Sequence, residues 1–173
     1  MRDISKNTRI IVLIGFLWFI SILSIQLYYI PEFEKITGQK LLDFGGFDEY
    51  SINNILSSYG DEGINFYNQI QIVDFFAPVL LGLFLSTICL RLLFLLKGKY
   101  YFIGYFPLLL TVFDLIENGI IYSILKTYPE KINTNIGNTL LTTSEIKNVF
   151  YGLSVLLTIG LSIFWIIDKI RKR

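Results

Sequence analysis

Four stretches of this chain are each long and apolar enough to cross a lipid bilayer, and that feature restricts the fold more than any other. A hydrocarbon core about 30 Å thick is spanned by roughly 20 mostly apolar residues rising about 1.5 Å each. The stretches run from about Ile10 to Ile30, Ile70 to Leu96, Tyr101 to Leu125 and Ile146 to Ile167. A buried helix of a soluble protein reproduces one such stretch, not four covering over half of 173 residues. The expected fold is an all-α integral membrane protein, a four-transmembrane-helix antiparallel bundle forming a single membrane domain over residues 1–173. Composition agrees: 53% of residues are hydrophobic and 17% charged, against about a quarter charged in soluble domains.

Fifteen Lys and Arg against fourteen Asp and Glu leave no basic excess to hold nucleic acid. The absence of His and the single Cys89 exclude a Cys/His zinc site, a disulfide framework and a His-based triad. No metal and no cofactor is expected. The basic flank of the first stretch fits a signal peptide. Its apolar run is too long for one, and no small-x-small cleavage site follows, so a retained anchor is expected.

Basic residues set an orientation. Arg2, Lys6 and Arg9 precede the first span, Arg91, Lys97 and Lys99 surround the short second connection, and Lys169, Arg171, Lys172 and Arg173 close the chain. The first connection, residues 31–69, carries Lys35 and Lys40 against Glu32, Glu34, Asp43, Asp48, Glu49, Asp61 and Glu62. Both termini are therefore expected in the cytoplasm, N-in/C-in, with a long, partly helical first loop outside. In that loop Gly45-Gly46 marks a turn, Asp48 can cap a helix through Tyr59, and Gly60 supplies a left-handed stop. Tyr50, Ile52, Ile55, Leu56 and Tyr59 form an apolar stripe suited to the membrane interface or to covering the outer ends of the bundle. Asp61 caps a second start, with Glu62 in its first turn. From there the second span is expected to run inward without a break.

Asp74, Asp114 and Glu117 lie in apolar surroundings. An acidic side chain at mid-membrane costs about 2.5–3.5 kcal/mol on insertion scales and tends to face protein or water. Asp114 and Glu117 fall about 20 and 24 Å from the start of the third span, and Asp74 within two turns of the outer end of the second. The three carboxylates thus reach overlapping heights. Asp114, Glu117, Asn118 and Tyr122 share one helical face. Ser21, Ser24 and Tyr28 on the first span, and Tyr151, Ser154, Thr158 and Ser162 on the fourth, form further polar stripes, which are expected to turn inward. Arg91 lies about 26 Å below Asp74, and no Lys or Arg is expected within the membrane at the carboxylates' height. Three carboxylates without a cation cannot all stay ionised in low dielectric, which points to a shared proton, a bound cation or a water-filled cleft. The plain alternative is protonated carboxyls that hydrogen-bond helices together.

Lesser signals favour packing. Pro78, one turn after Asp74, frees a backbone carbonyl and bends its helix, and Pro107 opens the core of the third span. The Ser154-Thr158-Ser162 repeat permits close helix contact, Cys89 is a small buried hydrophobe, and Tyr28, Tyr29, Tyr100, Tyr101, Tyr122 and Tyr128 fit interfacial belts.

The series Tyr59-Gly60-Asp61-Glu62-Gly63, Tyr67, Asp74, Pro78, Pro107 and Asp114-Leu115-Ile116-Glu117-Asn118 is similar to that of an uncharacterised group of small four-helix bacterial membrane proteins. The resemblance covers roughly Tyr59 to Leu125. It implies a bacterial inner (plasma) membrane, which the absence of an organelle address also favours, and no activity. The signatures of aspartyl signal peptidases and of presenilins are absent, and a disulfide-forming quinone enzyme needs Cys pairs. Three functions stay open. In the first, the protein binds or passes a cation, amine or lipid, with Asp74, Asp114 and Glu117 as ligands and Asn118 and Tyr122 orienting it. In the second, Asp74 and Asp114 are the catalytic acid/base pair of an intramembrane hydrolase or lipid-modifying enzyme. In the third, the chain is a structural partner subunit whose acidic first loop docks another protein.

Overall fold

Long helices follow from the apolar runs, and the structure, a computed structural model, is helical with no strand among the described residues 1, 3–42, 52–130 and 132–172. Four helices are long and apolar enough to cross a membrane. We label them α1 (Thr8–Thr37), α2 (Ile52–Leu95), α3 (Pro107–Thr127) and α4 (Thr134–Arg171). A 3-10 turn, Ile4–Lys6, precedes α1, and another, Tyr101–Tyr105, leads into α3. Helix α2 is the centre of the molecule. It packs against α1, α3 and α4, while α4 also packs on α3. Half of the most apolar window of α2 is buried, against 6% of that of α4.

Pro31 does not end the first helix, contrary to the sequence expectation. A single π-helical turn, Ile25–Tyr29, precedes it, in which the Ile30 N–H donates to the Ile25 carbonyl. The wider turn absorbs the missing N–H and the ring of Pro31. The helix then continues to Thr37 and stops at Gly38, in the left-handed conformation at φ 67°. Helix α2 departs from helical geometry only at Gly60, at φ 63° and ψ 176°. This is a region open to glycine and strained for other residues, and its ψ differs from that of the left-handed helical stop expected there. The helix then runs through Pro78 to Leu95 without a further break. The Asp48 cap, the Gly45-Gly46 turn and Tyr50 lie outside the described residues. Pro107 is the first residue of α3, where its missing N–H costs nothing.

Packing divides the bundle into two layers. At the end away from the chain termini, Phe33, Leu56, Tyr59, Tyr67, Ile121 and Leu140 belong to one buried core. The rings of Phe33, Tyr59 and Tyr67 meet at centroid distances of 4.9, 5.3 and 6.0 Å. The Tyr59 hydroxyl donates to the Lys40 carbonyl at 2.6 Å. Asn53 holds Ile132 in both directions, donating to its carbonyl at 3.2 Å and accepting from its N–H at 2.8 Å. The Ile52-Leu56-Tyr59 stripe therefore covers this end of the bundle. In the other layer the outward side chains are apolar: Val12, Phe16 and Leu27 on α1, Leu109 and Ile116 on α3, and Val149, Leu156 and Phe164 on α4 are all exposed. Such a continuous apolar surface suits acyl chains and not water. The α4 helix, at 38 residues, is about 57 Å long, nearly twice the hydrocarbon thickness. Its Thr134–Glu145 part belongs to the first layer.

Candidate functional site

The polar residues cluster where the two layers meet, and Pro78 organises part of that cluster. A proline inside a helix cannot donate to the carbonyl four residues back, here that of Asp74. Asn118 of α3 fills the gap, its Nδ2 donating to the Asp74 carbonyl at 3.1 Å. One turn further, Thr111 Oγ1 donates to the carbonyl of Pro78 itself at 2.8 Å. Gly82 makes this approach possible, because a Cβ there would overlap the Thr111 hydroxyl. The proline segment of α2 is thus stitched to α3 by two side-chain hydrogen bonds to its backbone carbonyls.

Glu117 is fully buried and turns toward α4, where it accepts from the Ser144 hydroxyl and pairs with the Lys147 ammonium. This corrects the expectation that no Lys or Arg stands at the height of the carboxylates. Lys147 lies just inside the apolar fourth stretch, and the α3–α4 hairpin brings it level with Glu117. Ser144 and Lys147 are three residues apart, so both face α3. Ser144 also lies within hydrogen-bonding distance of the Leu140 carbonyl, at 3.0 Å.

The three carboxylates therefore divide. Glu117 belongs to the α3–α4 ion pair, whereas Asp74 and Asp114 line a cleft of about 330 Å³. Trp18 and Ile22 of α1 form one wall, Asp74, Ala77, Pro78 and Leu81 of α2 the floor, and Leu110 and Asp114 of α3 with Lys147, Asn148 and Tyr151 of α4 the other wall. Asp114, Glu117 and Lys147 are the charged neighbours of Asp74. A common site for Asp74 and Asp114 was the expectation, and the structure places both on one cleft. No group of three His, Cys, Asp or Glu side chains among the described residues could hold a metal ion.

Of the remaining residues singled out in the sequence, Asn118 is buried behind the cleft as the partner of Asp74. Tyr122 stands apart, 44% exposed, with the Lys126 ammonium 5.5 Å from the centre of its ring. Of the polar stripe of α1, Ser21 and Ser24 are half-buried, whereas Tyr28 does not turn inward as expected. Ser21 and Ser24 donate to the carbonyls of Leu17 and Ser21 in their own helix, and Tyr28 is exposed. On α4 the seam packs on α2: Ser154 is fully buried, and Thr158 meets the Cys89 thiol at 3.3 Å. Cys89 is completely buried, as a packing residue should be. Arg91 lies at the terminal end, donating to the Thr8 hydroxyl at 2.8 Å, far from the cleft.

No family model, no curated protein and no solved structure matches this chain. The functional reading therefore stands on the geometry of the cleft.

Proposed function

We propose that this chain is an integral membrane protein, oriented N-in/C-in, that binds or passes a cation, an amine or a lipid headgroup at its carboxylate-lined cleft in the outer half of the bilayer. The orientation is supported by the Lys and Arg at the termini and at the Arg91–Lys99 connection, and by the acidic first loop at the opposite end. A bacterial inner membrane is supported by the similarity of the Tyr59–Leu125 region to small four-helix bacterial membrane proteins.

One observation carries the reading: Asp74 and Asp114, from different helices, line a single cleft whose other walls are largely apolar. Charged side chains at such depth are costly unless they meet a partner. Among the described residues Asp74, Asp114 and Glu117 gather here around Lys147, a balance of charge that a positive ligand group would improve. In this reading Asp74 and Asp114 are the ligands, Glu117 holds Lys147 in place, and Asn118 sets Asp74 through its backbone. A ligand that binds only the folded protein at a hundred times its Kd stabilises it by about 2.7 kcal/mol. Thermal unfolding of purified protein in detergent, titrated with sodium or ethylammonium chloride, should show such a gain for the native chain and none for Asp114→Asn. Equal gains in both proteins would remove the cleft from the function.

A second reading has one observation in its favour, that Asp74 and Asp114 line the same cleft. An acid/base enzyme would use one carboxyl to activate water and the other to protonate a leaving group. It would show a bell-shaped pH profile lost in either Asn variant, whereas a binding protein would turn over nothing.

A further inference from the structure

The lining of the cleft changes character along the bundle in the same sense on α2, α3 and α4. Asp74, Asp114, Lys147 and Asn148 mark its polar level. Ala77, Pro78 and Leu81 on α2, Leu110 on α3 and Tyr151 on α4 lie toward the terminal end, most of them about one turn, roughly 5 Å, further along. On α1 the lining is apolar throughout, from Ile22 down to Trp18, whose ring stacks near that of Phe84. A bare cation would use the polar level and leave the apolar half empty. An uncharged hydrocarbon would do the reverse.

We propose that the cleft takes a single-chain amphiphilic amine, an ammonium head on one long alkyl tail, entering sideways from the bilayer. The inference rests on the binding reading above and names its ligand class. Among the described residues three carboxylates and one ammonium stand at this level, a balance that a positive head improves and a negative one worsens. The volume of about 330 Å³ holds roughly eleven groups of water size at about 30 Å³ each. One alkyl chain of about ten carbons would fill that space. Access follows from the packing: among the described residues α1 packs chiefly on α2, so a trough floored by α2 runs between α1 and the α3–α4 pair. On α1 the exposed Phe19 adjoins the lining residue Trp18 in sequence, so apolar surface continues outward from the cleft. The head reaches the carboxylates while the tail stays among apolar groups throughout.

Trp18 gives a direct readout, since the chain has two tryptophans and Trp165 lies elsewhere, beside Lys169. In nanodiscs, Trp165→Phe protein would be titrated with three probes of equal chain length: a dibrominated alkylamine, the matching carboxylate and the matching alcohol. Bromine quenches tryptophan only at close range. We expect the amine to quench Trp18 at a tenfold or lower mole fraction than the other two, and Asp74→Asn/Asp114→Asn to abolish that difference. Equal quenching by all three, or a preference for the carboxylate, overturns the proposal on protein with the site intact, whatever the variant's folding. Ethylammonium stabilisation separates the two levels of the argument. If it depends on Asp114 while the amine shows no preference at Trp18, the amphiphile falls and the cation site stands. If neither effect appears, both fall.

Discussion

The Glu117–Lys147 pair is the most consequential contact at the residue scale. Replacing one member of a buried ion pair leaves an uncompensated charge and costs about 3–5 kcal/mol, whereas replacing both by apolar residues of similar volume is often neutral. Lys147→Met should therefore lower stability by about that amount, and Glu117→Leu/Lys147→Met should recover most of it, as read from unfolding in detergent. The junction at Pro78 offers a second cycle. Asn118→Leu strands the Asp74 carbonyl, at a cost of about 1–3 kcal/mol. Pro78→Ala restores a helical N–H donor for that same carbonyl, so the double variant should be less destabilised than Asn118→Leu alone. Additive losses would mean that Asn118 does not serve the proline gap. In the sequence the Asp74–Pro78 relation was visible, because a proline always orphans the carbonyl four residues back. Which side chain would answer it was not visible, since Asn118 is 44 positions away. Lys147 was hidden for another reason. Hydropathy placed it at an interface, whereas residues counted from the α3–α4 turn place it about level with Glu117.

At the scale of elements, the helices were legible and their ends were not. Apolar length identified all four, but hydropathy reports where lipid ends and not where hydrogen bonding ends, so α1 and α4 run well past the apolar windows. Pro31 is a breaker by propensity, and the π-helical turn before it shows how one extra residue in a turn accommodates the ring. Gly60, expected as a left-handed stop, instead makes a kink at ψ 176° in a backbone region that glycine occupies comfortably. Gly60→Ala should cost about 1–3 kcal/mol of stability, measurable as a lower midpoint of thermal unfolding. An unchanged midpoint would show that the bend is not needed to seat Tyr59 against Phe33. The serine hydroxyls of α1 return to carbonyls of their own helix. Polar spacing on a helix face therefore does not imply a neighbouring helix.

For the whole molecule, the proposed orientation places the aromatic core around Phe33, Tyr59 and Tyr67 outside the bilayer, with the cleft just beneath it. In a Cys89→Ala background, a membrane-impermeant maleimide should label Glu130→Cys in intact cells, and Lys99→Cys only after lysis. The opposite pattern would invert the topology and move the cleft to the cytoplasmic leaflet. The sequence by itself determined that the chain is helical, has four segments able to cross a membrane, and has carboxylates at overlapping heights. Those properties follow from local composition and from a constant rise per residue. Only the tertiary structure decided that α2 is central, that Glu117 leaves the other two carboxylates for Lys147, and that α1 stands apart to open a cleft. These depend on the rotation of each helix about its axis and on which neighbours meet, and side-chain packing across distant segments sets both.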